Sequence, residues 1–446
     1  MPIFAYFDTP TNYPNKFGFY DVGSSPFLLQ QLLDFLKEDE DTIEEIKIGL
    51  YLFNNEILNT RLIELAIRGV KIDIITIPIE GYDAEKPKEI IDIKTGEVIA
   101  CGSKYDFAKK IFEAYYKKEI PNSTLYFFPH MYLRSEKVKN FSRGEMPYSL
   151  HLKSFLIKHK NKPGIIGISS SNFAVRDLVK EENLLIIKNE ADYFNPAYSF
   201  FNTLIENSLP IYDFNFKKDY TNYEIKLAAQ PVSTRINFIA PFYFDSAFKA
   251  EEEIFNLISS ATSSIKIVAQ HICPVAYSFN GNFHSAFENK IINKDGLLKT
   301  LIEKANNGVK VEFISQTFAS SENDTMQFRT PVNKKAFIDF YDAIKNIPNI
   351  AYAVNENVHS KYIIADEKVF VSSFNYTPTQ FIYLDNVDIP TFKNNPGKSY
   401  KGIHCETGQY CIIHNIETVK MYENNFNNLL AKKDTVVVKK LYLQTV

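Results

Sequence analysis

The sequence predicts an α/β fold built twice, and three observations carry that reading. A strand–helix–glycine–strand segment occurs in each half of the chain, at 46–76 and again at 265–317. A further strand after a Pro-Asn turn follows in each half, "PNSTLYFFP" (121–129) and "IPNIAYAVN" (347–355). Each half then closes with a strand and an amphipathic helix. At 446 residues the chain exceeds what one compact core usually serves, so two domains are expected on length alone.

The first segment reads "IKIGLYLFNNEILNTRLIELAIRGVKIDIIT"; its counterpart is "IKIVAQHICP" followed by "LLKTLIEKANNGVKVEFISQT". Each opens on a β-branched strand, Ile46–Tyr51 or Ile265–Ala269. Each continues into a helix with Leu and Ile at helical spacing. Gly69 and Gly308 end these helices where a left-handed cap needs no Cβ. Strand, helix, glycine and strand make a βαβ unit, which implies parallel pairing. The expected domains are residues 1–208 and 233–446, each a mixed sheet flanked by helices and related by a pseudo-twofold axis. A polar stretch rich in Tyr and Asn at 209–232 is expected to link them.

Composition narrows the function classes. The formal net charge is −3, so nothing global draws the chain to a polyanion. The opening "MPIFAYFDTPTNYPNKFGFYDV" has no basic segment leading into an apolar one, which argues against a secretory signal. No apolar run reaches the roughly 18 to 20 residues that span a bilayer. Cys101, Cys273, Cys405 and Cys411 are too sparse for a disulfide framework and lack CxxC pairing. The expectation is a cytoplasmic enzyme with reduced thiols.

Each half also contains His-x-Lys: His151 and Lys153, then His359 and Lys361. On a strand, residues two apart share a face, so imidazole and ammonium project together. A hairpin follows, and its return strand delivers Ser170 and Asn172 in one copy and Ser373 and Asn375 in the other. That set of groups suits a phosphate: Lys153 and Lys361 supply charge, Ser and Asn supply neutral donors, and His attacks or moves a proton. One His-x-Lys is ordinarily a half-exposed polar face. Two of them, each followed by Ser-x-Asn inside a repeated fold, reverse that reading. Covalent cleavage of a phosphodiester needs a nucleophile and a separate acid, so two imidazoles on opposite sides of one phosphorus are expected. No carboxylate spacing diagnostic of a metal site is present. His404 with Cys405 and Cys411 falls short of tetrahedral zinc ligation. No metal and no cofactor is expected.

H-x-K-x4-D followed by S-x-N, present twice, resembles the phospholipase D superfamily of phosphodiesterases. "RGVKIDII" and "NGVKVEFI" resemble the helix–glycine–strand segment of its cardiolipin-synthase-like and nuclease members. The resemblance implies two phospholipase D-like domains in which paired His and Lys do the chemistry and Asp366 supports them. It leaves out mainly the first forty residues, the linker and the loops near 80–118, 320–330 and 389–402. The N-terminal motif departs from the pattern, with Lys158 where the Asp is expected; tyrosyl-DNA phosphodiesterases, also members, lack that Asp. Ser169 and Ser372 stand where Gly is usual. The family commonly carries an acid about ten positions after the Asn, bonded to a catalytic imidazole. Glu182 and Asp385 fit that spacing, with Glu406 competing in the second copy. The resemblance also makes the N-terminal His the usual nucleophile.

The substrate stays open between two classes, with a scaffold that has lost catalysis as a third. Arg134, Lys137, Lys139 and Arg143 lead into the first motif, and Lys158, Lys160 and Lys162 follow in its hairpin. A basic rim of this kind favours nucleic acid, DNA or RNA, as substrate. A phospholipid at an anionic membrane surface is the alternative. Both motifs lie in one chain, so the expected active site requires no dimer.

Overall fold

The computed structural model describes residues 3–8, 27–77, 104–128, 131–133, 145–174, 180–214, 226–243, 246–270, 296–316, 343–355, 357–376, 387–388, 399–400 and 406–437. The strands in chain order are β1 (Ile3–Asp8), β2 (Ile43–Leu50), β3 (Lys71–Thr76), β4 (Ser123–Phe127), β5 (Met131–Leu133), β6 (Glu145–Leu150), β7 (Lys153–His159), β8 (Ile165–Ser169), β9 (Glu182–Lys188) and β10 (Leu209–Pro210). They continue as β11 (Ile236–Ile239), β12 (Ser264–Ala269), β13 (Lys310–Ser315), β14 (Ile350–Val354), β15 (Lys361–Ala365), β16 (Lys368–Ser372), β17 (Val387–Asp388), β18 (Ser399–Tyr400), β19 (Glu406–Ile413) and β20 (Val436–Val437). The helices are α1 (Phe27–Phe35), α2 (Glu56–Ile67), α3 (Lys104–Tyr116), α4 (Ala191–Glu206), α5 (Ser246–Ser260), α6 (Gly296–Asn306) and α7 (Ile416–Ala431).

Two compact units result. One gathers Met1–Met131, Tyr148–Ile236 and Thr407–Gln409; the other gathers Tyr132–Pro147, Asn237–Glu406 and Tyr410–Val446. In the first, the strand order is β1-β9-β8-β7-β2-β3-β4-β10. β2, β3 and β4 are parallel neighbours, and β7, β8, β9 and β1 continue the sheet antiparallel. In the second, the same six central strands recur in the same order, β19-β16-β15-β12-β13-β14, again with the parallel trio at one side. The two α/β sheets are mixed and flanked by helices, as the repeated sequence segments require.

Local chemistry explains the repeated βαβ segment. Asn55 caps α2, its side-chain oxygen accepting from Leu58 N at 3.0 Å. Two residues past the helices stand Gly69 and Gly308, with φ of 96° and 92°, conformations that cost a side-chain-bearing residue energy. The core of the first unit sets Ile46, Ile48, Ile72 and Ile74 against Leu58, Leu62 and Leu65 of α2 and Phe112 of α3. The second sets Ile265, Ile267, Val311 and Phe313 against Ile254 and Ile258 of α5 and Leu301 of α6.

The expected linker begins later than its polarity suggests. Leu209 and Pro210 pair with β4 as an edge strand. Ile211 and Phe214 are buried, Phe214 meeting Phe127 edge-on at 5.2 Å between ring centroids. Residues 209–214 are therefore part of the first unit's core: two apolar anchors outweigh the polar residues around them.

The opposite face of each sheet carries a strand lysine, buried in the first copy and half-buried in the second. Lys47, in the middle of β2, ion-pairs with Glu45 at 2.9 Å and with Asp73 of β3 at 3.0 Å. Lys71 reaches the same two carboxylates, at 2.7 and 3.2 Å. Tyr198 of α4 donates to Glu45 at 2.8 Å. Burial works against the charge of Glu45, but hydrogen bonds from Lys71, Lys47 and Tyr198 outweigh it and hold its carboxyl at about 2. In the second unit Lys266 takes the position of Lys47 and pairs with Glu423 of α7 at 3.1 Å. The closing helix of each copy thus docks partly on a strand lysine.

Removing one partner of a buried ion pair leaves a desolvated charge behind. Lys47→Met is therefore expected to lower the unfolding free energy by about 3 kcal/mol in urea titrations at pH 7. Glu45 titrates lower when folded than its ordinary value near 4.3, so its stabilisation is full above that value and disappears as pH falls towards 2. Glu45→Gln should flatten the decline of wild-type stability between about pH 4 and pH 2; an unchanged slope would remove Glu45 from this account.

Candidate active site

Strand register decides where the motif residues stand. Leu50 is the last residue of β2 to pair with β7, and its partner is Lys153. Ala269, the last of β12, pairs with Lys361 in the same way. Each ladder therefore begins at the lysine, and His151 and His359 stand two residues ahead of it, at the carboxyl ends of the parallel strands. Open α/β sheets bind ligands at that end. The sequence reading put each histidine on the strand itself; the end of the first parallel strand leaves it just beyond.

The lysines are almost completely buried, Lys153 at 1% and Lys361 at 0% exposure. Each ammonium donates to the backbone carbonyl of the histidine two residues earlier, Lys153 Nζ to His151 O at 3.0 Å and Lys361 Nζ to His359 O at 2.6 Å. A buried ammonium needs such acceptors, and a lysine carries three donors with which to find them. His359 is buried and His151 half-buried. Leu152 turns to the other face, over Gly49, where a Cβ would lie 2.5 Å from Leu152 Cδ2. In the second copy the register counterparts are Ser360 and Val268, so the bulk has changed strands.

The return strands end beside these lysines. Ser170 and Asn172 follow β8, and Ser373 and Asn375 follow β16; all four are buried. Ser170 was expected to donate to a phosphate, but its hydroxyl is engaged within the sheet. It donates to Glu182 Oε2 in a short hydrogen bond and accepts from Asn183 N at 2.8 Å. Face alternation says which way a side chain points and nothing of what meets it there. The Asn172 amide oxygen accepts from Leu52 N at 3.3 Å. That fixes the amide's orientation, with its NH2 side directed away from Leu52. The amide oxygen of Asn375 has no donor among the described residues, and the register counterpart of Leu52 is residue 271, outside them. Asn55 braces the first copy's loop by donating to Phe173 O at 2.9 Å, so one side chain both caps α2 and holds the Ser-x-Asn turn.

Glu182 opens β9 and is buried against Ser170. Asp385 lies outside the described residues, as do Arg134, Lys137, Lys139 and Arg143. Ser169 pairs with Leu184 and Ser372 with Tyr410. By that register the counterpart of Glu182 is Gly408, and Glu406 is the next residue on the same strand face.

Asp366 stands elsewhere. It occupies the turn between β15 and β16 with φ of 49°, a left-handed conformation that Asp tolerates. Seven residues of extended chain separate it from His359, about 20 Å. Its carboxylate accepts from the backbone of Thr262, Ser263 and Ser264 at 2.7, 3.0 and 2.9 Å and from the Thr262 hydroxyl at 3.0 Å. Partial burial opposes its charge; these four bonds prevail and lower its pKa. Asp366 therefore fastens the hairpin to the start of β12 and does not reach the His359 end.

The first copy fastens its hairpin differently. Lys158, the counterpart of Asp366, pairs with Glu44 at 3.3 Å and is likewise far along the strand from His151. Lys158 therefore belongs to the distal end of the hairpin. His159 Nδ1 and the Thr42 hydroxyl share a hydrogen bond of 2.8 Å, and Lys160 N donates to Thr42 O at 2.9 Å. The loop is longer here, so the next residue, His159, makes the tie. His159 and Tyr51 are the residues that sequence reasoning missed. The ring of Tyr51 stands edge-on to His151 at 5.8 Å and perpendicular to it. Aligning the two copies by strand register would have singled out both. Among the described residues, no group of three metal-ligating side chains gathers.

Asp366→Ala removes four acceptor contacts far from the histidine and is expected to lower the second unit's unfolding free energy by about 2 kcal/mol in chemical denaturation. Chemistry carried out by the folded fraction should change less than tenfold. A larger loss at undiminished stability would return Asp366 to the chemistry.

No family model and no curated protein matches the sequence. Among solved structures, the chain is similar to a phosphatidylserine synthase from Haemophilus influenzae. That match has a TM-score of 0.53 and 12% identity, and covers 92% of this chain and 85% of that one. It is also similar to a polyphosphate kinase from Porphyromonas gingivalis, with a TM-score of 0.50 and 11% identity over 96% of this chain. The chain spans half the length of that kinase, which matches over 50% of its own chain. Both are members of the phospholipase D superfamily, and its fold is the fold of this chain.

Proposed function

We propose that this chain is a metal-independent phosphodiesterase that works through a covalent phosphohistidine. One observation carries the reading: a buried lysine bonded to the carbonyl of the histidine two residues before it, at the carboxyl ends of parallel strands, in both copies. A phosphodiester needs an in-line nucleophile and a proton donor for its leaving oxygen. The chain offers one imidazole from each copy for those tasks.

In the proposed reaction, neutral His151 attacks phosphorus through a ring nitrogen. A nitrogen–phosphorus bond forms as the bond to the leaving oxygen breaks, and protonated His359 gives its proton to that oxygen. His359 then takes a proton from water, whose oxygen attacks phosphorus and releases His151. Lys153 and Lys361 balance the charge of the phosphoryl oxygens throughout. The amides of Asn172 and Asn375 are the neutral donors in this scheme. Ser170 and Glu182 act behind them as a braced pair.

Nucleic acid is the proposed substrate, on the strength of Arg134, Lys137, Lys139 and Arg143 beside the first motif. A phosphatidyl-transfer reading is the second. Lys158 and Lys162 of the hairpin are paired with Glu44 and Asp39, which removes two cations from the basic rim that a polyanion would use. The fold-level likeness to a phosphatidylserine synthase points the same way.

The test is one panel of labelled single- and double-stranded DNA and RNA and phosphatidyl lipids, each in excess chelator. Cleavage of a nucleic acid with undiminished rate in chelator is expected. Turnover of lipid alone would move the substrate to the second reading, and strict dependence on a divalent cation would overturn the mechanism. His151→Ala and His359→Ala should each lose about 10³-fold or more in rate. Only the His359 variant should still trap a phosphorylated protein, with a substrate whose leaving group needs no proton. An adduct on His359 in the His151 variant would reverse the two roles.

A further inference from the structure

Tyr51 follows the last residue of β2 and extends its pairing with the motif strand by one bond, its backbone N–H donating to Leu152 O at 3.0 Å. The aromatic ring is thereby fixed opposite the motif. It meets the His151 imidazole perpendicularly, centroid to centroid 5.8 Å, and Lys153 Nζ lies 5.9 Å from its centre over the ring face. One aromatic side chain thus touches both members of the first His-x-Lys pair.

The imidazole needs such a contact. The His151 peptide is held, its N–H donating to Thr407 O at 2.9 Å and its carbonyl accepting from Lys153 Nζ, but neither bond fixes the ring. The χ2 torsion of histidine is broad and roughly two-fold, so the direction of the ring nitrogens is set by what packs against the ring. An aromatic wall at right angles restricts that torsion without using either nitrogen, and the same ring attracts the neighbouring ammonium through its face. The second copy has a different residue at this place. Its register counterpart of Tyr51 is Gln270, whose amide donates to Gln316 Oε1 at 3.2 Å.

We infer that Tyr51 is a positioning residue that aims the His151 imidazole at phosphorus and sets it against Lys153, and that it makes the first copy the nucleophilic one. The inference rests on the phosphohistidine reading for its kinetic consequence and on geometry alone for its effect on the ring. The ring, not the hydroxyl, does the work, so Phe suffices at this position and an aliphatic residue does not.

The experiment compares the full-length wild type with Tyr51→Phe and Tyr51→Leu, each first checked for native circular dichroism and thermal midpoint. With the substrate identified by the panel above, Tyr51→Leu should lower kcat by about tenfold to a hundredfold, the scale on which small misplacements act, with KM within about twofold. Tyr51→Phe should restore the wild-type kcat. Nuclear magnetic resonance of the His151 ring protons gives a second reading without substrate. Their chemical shifts should move in Tyr51→Leu, through loss of the ring current, and stay in place in Tyr51→Phe. Unmoved ring protons in the Leu variant would overturn the inference whatever the activity. Moved protons with an unchanged kcat would reduce Tyr51 to packing. If no substrate turns over in the wild type, the phosphohistidine reading and the kinetic role fail together, and only the ring contact is left for the resonance data to affirm or deny.

Discussion

Antiparallel pairing between the first parallel strand and the motif strand is the constraint on which the rest depends. In both copies that ladder ends at the motif lysine, Leu50 against Lys153 and Ala269 against Lys361. The lysine is therefore locked inside the sheet while the histidine lies past the end of the ladder, its carbonyl tied to the lysine in both copies and, in the first, its N–H to Thr407 O at 2.9 Å. A slip of one residue would exchange the faces of the whole strand, sending Lys153 into the layer under α4 and Leu152 into the position of the cation. Gly49 guards against that slip in the first copy, since its missing Cβ is the space that Leu152 occupies.

Burial of a lysine at this place is costly unless its donors are met. The carbonyl of the histidine meets one of them in each copy. The bond has a second effect. It ties the peptide carrying the imidazole to the ammonium, so neither is placed independently of the other. A surface lysine of the same formal charge would sample many rotamers and lose entropy on each binding event. Charge already fixed is what electrostatic stabilisation of a transition state requires.

Much of this was legible in the sequence because it rests on periodicity. Glycines at 69 and 308, apolar alternation in the strands and helical spacing in α2 and α6 all report the backbone directly, and the two copies corroborate each other. Face alternation put His and Lys on one strand face, whereas the histidines lie just beyond the strands that begin at the lysines. What it does not encode is reach. Lys158 was near His151 in sequence spacing, yet an extended strand carried it to the far end of the hairpin. Ser170 points the right way, but Glu182 meets it. Residues 209–214 read as polar linker because two buried side chains, Ile211 and Phe214, are few beside their neighbours. The acid of the second copy could not be found by counting from Asn375, because the insertion before β19 breaks the count; only strand register identifies Gly408 as the counterpart of Glu182.

Duplication gives a protein two copies of one chemistry, whereas cleaving a phosphodiester asks for two different ones. One imidazole has to arrive neutral and the other protonated, and groups in equal surroundings would titrate alike. The divergences between these copies bear on that requirement unequally. Asp366 against Lys158 concerns the distal turn, where either residue type helps fasten a hairpin. Tyr51 against Gln270 and Glu182 against Gly408 concern the end where the histidines stand. At those two register positions the first copy has an aromatic ring and a buried carboxylate, and the second has an amide and a glycine, with Glu406 two residues before it. Under the phosphohistidine reading, it is differences at this end that would set one imidazole apart from the other.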